Sequence, residues 1–324
     1  MSWRQSLSTD PLPPLLASDD PALVYFTRRD LLGEDPGSVD QLWETHSVQL
    51  LLEKQKPDGS WDYPARRADA CENYSLLQTY RMLGILVEMY GLDRRHPAIM
   101  GAADYLFAHQ TGEGDIRGIF GEQYMPHYSA GMMELLIKAG YEKDERIDQG
   151  FQWFEEMQQN DGGWAWPLRT STVRYEEARE LAEPIQPDRS RPFAHALTGF
   201  VIRMYAAHPH FRTSDTARHV GELMKSRFFQ ADRYVDRRSA DFWLKFQFPF
   251  WWASLLTTLD ALVTMGFGED DHDMQSGLTW FRENQEANGF WPTGYDKGKK
   301  AEAARPWVAL AICRVLKQYN HGAA

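Results

Sequence analysis

Two kinds of helical stretch alternate along the chain. Stretches at residues 39–55, 97–110, 144–159, 215–230 and 272–286 carry apolar residues on one face and charges on the other, as in Asp144-Glu-Arg-Ile147-Asp-Gln-Gly-Phe151-Gln-Trp153-Phe154. That is the pattern of a helix lying between core and solvent. Stretches at 73–90, 127–139, 194–207, 250–265 and 305–318 are apolar on most sides and rich in small residues, as in Ser129-Ala130-Gly131-Met132-Met133. A helix of that kind is buried. The alternation predicts five αα-hairpins, each with an outer polar and an inner apolar helix. Stacked hairpins extend as a solenoid or close into a ring, and neither end of the chain shows a strongly polar capping repeat. The expected fold class is all-α: an α/α toroid with inner and outer helix rings. It would occupy residues 39–324 as a single domain behind a loose lead-in, residues 1–38.

The joints repeat as well. A helix end is followed by Gln, a Gly-containing turn and Trp: Gln55…Asp58-Gly59-Ser60-Trp61, Gln159…Asp161-Gly162-Gly163-Trp164 and Gln285…Asn288-Gly289-Phe290-Trp291. Gln110-Thr111-Gly112-Glu113-Gly114-Asp115 is a copy without Trp. Gly59 to Gly112 spans 53 residues and Gly112 to Gly163 spans 51, whereas Gly163 to Gly289 spans 126, or twice 63. A fourth joint is therefore expected at Arg227 to Tyr234, without its Gly and Trp. Gly supplies the left-handed cap after a helix, Gln is expected to bond carbonyls at the helix end, and Trp to pack over the turn.

Composition narrows the function classes. The chain has 324 residues, 43% hydrophobic and 25% charged, with a net charge of −11. The acidic balance argues against a nucleic-acid partner. No apolar run reaches the roughly 18–20 residues of a spanning helix, which leaves only peripheral membrane contact. Cys71 and Cys313 lie far apart and form no disulfide framework. The expected location is cytoplasmic.

The Gln…Gly…Trp copies at 55–61, 159–164 and 285–291 resemble the QW repeat of squalene-cyclase-type proteins, within the α/α-toroid superfamily of terpenoid cyclases and protein prenyltransferases. The resemblance implies an isoprenoid-handling enzyme, prenyltransferase-like or cyclase-like, with a prenyl or polyprenyl substrate in the central cavity. Class II cyclases carry an Asp-x-Asp-Asp proton donor, which this sequence lacks. Prenyltransferases hold zinc with Asp-x-Cys at one inner-helix start and a His one repeat later. Asp69, Cys71 and His127 stand at that spacing, with Arg66 where the family places a Lys. Aligned on Tyr74-Ser75 instead, the cysteine slot falls at Asn73. Zinc is thus the one implied cofactor.

The inner-helix starts define the expected mouth of the ring. Candidate catalytic residues are Asp69, Tyr74, His127, His195, Asp241 and Asp260; Asp260 stands mid-helix, where burial would raise its pKa and suit it to donate a proton. Candidate substrate contacts are Arg66, Arg67, Asn73, Tyr128, Phe250, Trp251, Trp252, Arg305 and Trp307, with aromatic faces suited to cations. The long link from Pro167 to Pro192, with Arg169 among its five arginines, reads as a lid or binding loop. Two alternatives stay open: a non-catalytic toroid that binds a lipid or peptide, and an αα-barrel glycan enzyme. The latter needs paired carboxylates in a polar groove.

Overall fold

The computed structural model describes residues 3–64, 73–268, 271–295 and 298–321. The helices begin with α1 (Leu12–Leu16), α2 (Pro21–Phe26), α3 (His46–Leu52), α4 (Tyr74–Tyr90) and α5 (Pro97–Phe107). A four-residue strand, β1 (Ile119–Glu122), leads into α6 (Pro126–Leu136), α7 (Glu145–Glu156), α8 (Pro167–Thr170) and α9 (Tyr175–Arg179). The chain continues through α10 (His195–Ala207), α11 (Asp215–Lys225), α12 (Leu255–Thr264), α13 (His272–Glu283) and α14 (Lys299–His321). Helices α3, α5, α7, α11 and α13 are the outer members of five hairpins, and α4, α6, α10, α12 and α14 the inner ones. The fold is the all-α toroid.

Several boundaries differ from the periodic pattern: the fourth outer helix ends at Lys225 and not at 230, and the fifth inner helix begins at Lys299 and not at 305. The first outer helix is shorter than 39–55, with a separate 3-10 turn at Val39–Leu42. The fourth inner helix starts at Leu255 and not at 250, because Ser254 caps it: its hydroxyl accepts from the Thr257 amide, and its own amide donates to the Thr257 hydroxyl. That reciprocal cap fixes the helix start, so Phe250 to Ala253 stay outside it.

Neighbouring inner helices pack in the order α4, α6, α10, α12, α14, and α2 contacts both α14 and α4. The lead-in is therefore not loose: it closes the ring. Ala22, Leu23, Tyr25 and Phe26 of α2 are buried. The Trp307 indole donates to Asp20 at 3.1 Å, and the Arg314 guanidinium donates to Asp30 at 2.8 Å. The proline- and serine-rich start of the chain hides this short apolar helix from a periodicity reading.

The glutamines of the first two joints each tie two segments, whereas Gln159 donates to Asp188 and Arg191 in the 167–192 link. Gln55 donates across its own turn to the Gly59 carbonyl and also to Ala98 in the first turn of α5, the next outer helix. Gln110 does the same with Gly114 and Arg146 of α7. In these two joints the glutamine thus ties one repeat to the next instead of capping its own helix. The Trp61, Trp164 and Trp291 indoles each donate to a carbonyl ten residues earlier, on Leu51, Phe154 and Phe281. The Trp61 and Trp164 amides donate to Thr79 and Thr198 on the paired inner helices. At Gly59, with φ +85°, a Cβ would lie 2.0 Å from the Gly101 carbonyl oxygen of α5. Only glycine serves both the left-handed turn and that approach. Among the described residues, no helix is long and apolar enough to cross a membrane.

Candidate functional site

A cavity of about 240 Å³ opens beside the start of α6 and the segment ahead of α12. Its apolar wall includes Phe120 of β1, Trp166, Leu168 of α8, Tyr175 of α9 and Trp252 ahead of α12. His127, at the start of α6, supplies a polar wall group, and Arg169, Asp236 and Arg237 form a charged rim. The 167–192 link covers one side with Pro167, Leu168, Arg169 and Tyr175. It is clasped by Gln123, whose Oε1 accepts from the Ile185 amide at 2.9 Å, and by Tyr124, whose hydroxyl accepts from Gln186 at 3.0 Å. Across the rim, Arg169 grips Asp236 in a two-pronged pair at 2.5 and 2.9 Å. The Arg237 guanidinium lies 3.9 Å from the centroid of the Trp252 ring and donates to the Tyr295 hydroxyl. Burial lowers the Arg237 pKa from its ordinary value.

His127 is 6% exposed. Its Nδ1 accepts from the Trp166 indole at 3.1 Å, and its ring stacks with Trp252 at 6.3 Å between centroids. Burial pushes its pKa down to about 3, so the imidazole is neutral at physiological pH.

Of the residues expected at the mouth, the cavity lining contains His127 and Trp252. Tyr128 stacks against His127 at 4.1 Å, one ring back, and Trp251 packs edge-on to Tyr80. The others are committed elsewhere. Asn73 caps α4 through the Leu76 amide and hydrogen-bonds His109. Tyr74 packs on Tyr63. His195 sits at the same repeat position as His127 but faces the fourth joint: its Nδ1 is 3.2 Å from Asp232 and its ring stacks on Trp243. Burial pushes the His195 pKa down to about 4. Phe250 is buried beside Phe248, and its carbonyl accepts from Arg203. Trp307 stacks on Phe248 and bonds Asp20, Arg305 pairs with Glu286, and Asp241 is exposed in a 3-10 turn. Arg66, Arg67, Asp69 and Cys71 lie outside the described residues.

Asp260 is not at the cavity. It lines a separate pocket of about 40 Å³ with Glu134, Lys138 and Arg203, toward the C-terminal ends of the inner helices. Burial raises its pKa to about 6, against the opposing pull of Lys138. Arg203 and Glu134 there form an ion pair in which both side chains are at most 3% exposed.

Sequence reading missed Trp166, Tyr175, Asp236 and Arg237 as site residues. Asp236 and Arg237 follow the degenerate fourth joint, whose indole bond is made by Trp243 to the Gln230 carbonyl. The excess in the 126-residue spacing from Gly163 to Gly289 was the available signal. It falls in the 167–192 link and in the segment that builds the rim.

Residues 73–183 match the family model for the squalene-hopene cyclase C-terminal domain. Among solved structures, the type II terpene cyclase MstE from Scytonema, without ligand, is 15% identical and has a TM-score of 0.40. That alignment covers 88% of this chain and 98% of MstE. A variant of MstE in complex with geranylgeranyl dihydroxybenzoate, its substrate, is 12% identical over 95% of this chain and 98% of that one, with a TM-score of 0.47. A protein from Actinoplanes is 15% identical over 89% and 100%, with a TM-score of 0.32. No curated protein matches. The family-model match and the closed ring of hairpins together give the chain a terpenoid-cyclase-like fold.

Proposed function

We propose that this chain is an isoprenoid-handling enzyme that takes a prenyl chain into the cavity bounded by Phe120, Trp166, Tyr175 and Trp252. The aromatic lining of that cavity carries the reading. Aromatic faces bury a hydrocarbon chain and attract developing positive charge. A cavity of about 240 Å³ lies just under the roughly 300–1,000 Å³ usual for ligand pockets. That volume favours a short prenyl chain over a triterpene. The Arg169, Asp236 and Arg237 rim would hold a polar end of the substrate.

In Asp236, the carboxylate of the described lining, both oxygens accept from Arg169, which leaves neither free to meet a substrate as the starting acid. That observation supports a second reading, a non-catalytic isoprenoid-binding toroid. The implied zinc fits poorly at His127: a metal-bound imidazole normally donates its second N–H to an acceptor, whereas His127 Nδ1 meets the indole donor of Trp166.

Tryptophan fluorescence tests the cavity, with farnesol and farnesyl diphosphate as probes. Saturable quenching that Trp252→Ala weakens at least tenfold supports the reading; no binding of either probe overturns it. Product analysis after prolonged incubation then separates enzyme from binder.

A further inference from the structure

The aromatic cavity holds a polar side chain whose proton is placed by its neighbour. The Trp166 indole N–H points at His127 Nδ1 from 3.1 Å. An indole nitrogen can donate but cannot accept. His127 Nδ1 must therefore present a lone pair, and the single proton of the neutral ring resides on Nε2. Nε2 makes no hydrogen bond among the described residues, although the ring lines the cavity. The rings packed on His127 are aromatic, Tyr128, Trp166, Phe200 and Trp252, and Asp236, which shares the cavity, is engaged through both oxygens by Arg169. A ligand that fills the cavity without an acceptor shuts this N–H away unpaired, which costs free energy. A ligand that brings an acceptor atom recovers it, and a pure hydrocarbon does not.

We infer that His127 Nε2–H is the recognition donor for an oxygen carried on the body of the ligand, so that the site takes an oxygenated isoprenoid: a ketone, ether or epoxide. This rests on reading the cavity as a prenyl site. The role is orientation and selection. Because Nδ1 is occupied by the indole, His127 has no free lone pair with which to accept a proton from the ligand. The choice of ligand is a difference between two affinities, and the cost of the unmade bond sets its size.

Two measurements test it. The first needs no ligand. With imidazole-15N-labelled protein, two-bond proton–nitrogen spectra are expected to show His127 as the Nε2–H tautomer from pH 6 to 8. The signal is assigned by its loss in His127→Gln. An Nδ1–H tautomer overturns the inference whatever the ligand proves to be. The second compares geranylacetone with the hydrocarbon in which a methylene replaces its carbonyl oxygen. The wild-type protein is expected to bind the ketone about tenfold more tightly, the usual worth of one neutral hydrogen bond. His127→Phe is expected to bind both probes equally, and His127→Gln, which keeps an N–H at similar reach, to restore part of the preference. Trp166→Phe releases the tautomer and narrows it. Equal binding of both probes by the wild-type protein overturns the inference and leaves the prenyl reading standing. If neither probe binds, the prenyl reading falls, and the inference with it.

Discussion

Gln285 and Thr9 are joined in both directions: Gln285 Oε1 accepts the Thr9 amide at 3.0 Å, and Gln285 Nε2 donates to the Thr9 carbonyl at 2.8 Å. The last joint thus treats the N-terminal segment as the next repeat, as Gln55 and Gln110 treat α5 and α7. A ring needs such a partner because its first and last hairpins are otherwise unmatched edges.

Gln285→Ala removes this fastening and the bond to the Gly289 carbonyl. The expected loss is about 1–3 kcal/mol of stability. Hydrogen exchange locates the effect: amides of α2 and α14 are expected to exchange faster. In Gln110→Ala, which loosens an interior joint, the acceleration is expected in α5 and α7 instead. Uniform acceleration in both variants would sink the closure argument.

The hairpins were legible because their periods are strong and their joints chemically marked. The starts of α4, α6 and α10 were legible too, which is how His127 reached the candidate set; Trp252 entered it through a fourth start read at 250, where the helix begins only at Leu255. The same logic failed at His195. Its start is equivalent to that of His127, but Asp232 and Trp243 of the degenerate joint capture the ring. Arg237 was illegible for a related reason: it lies in inserted chain with no period, and its place over Trp252 depends on tertiary packing. Asp260 was read correctly as a carboxylate whose pKa burial would raise. Its place was not legible: a mid-helix position reads as buried wherever it faces, and only the packing of α12 on α10 sets it beside Glu134, Lys138 and Arg203, away from the cavity.

The Arg203–Glu134 pair joins α10 to α6 deep in the ring, and Lys138 also donates to Glu134 at 2.8 Å. Breaking one side leaves a buried charge without its partner, so Glu134→Gln is expected to cost about 3–5 kcal/mol in urea unfolding. The double change Glu134→Leu with Arg203→Met is expected to recover most of that loss. Additive losses in the double variant would show that the pair is not coupled.

The rim pair behaves differently. Arg169 and Asp236 are each about one-third exposed, and such pairs contribute about 0–1 kcal/mol. Asp236→Ala should leave the melting temperature almost unchanged. It frees Arg169 and makes the rim more positive, so farnesyl diphosphate is expected to associate faster, most clearly at low salt. Stopped-flow fluorescence gives the rate, and a rate equal to wild type at low salt would exclude a steering role.

Asp260 makes the pH dependence of stability predictable in sign. Its carboxyl is raised from 3.8 to about 6 by burial, with Glu88 and Glu134 adding to the rise and Lys138 and Arg314 opposing it. Between about pH 4 and 6 the folded chain therefore holds a proton that the unfolded chain has released. Stability falls as pH rises through that window, and the cost is fully present above it. Asp260→Asn removes the ionisable group. The variant is expected to be more stable than wild type at pH 7.5, by an amount on the order of 1–3 kcal/mol. The difference should shrink as the pH is lowered to 4. Paired urea titrations at the two pH values measure it. A variant less stable than wild type at pH 7.5, with the gap closing at pH 4, would mean that the carboxylate is net favourable where it stands, held by Lys138.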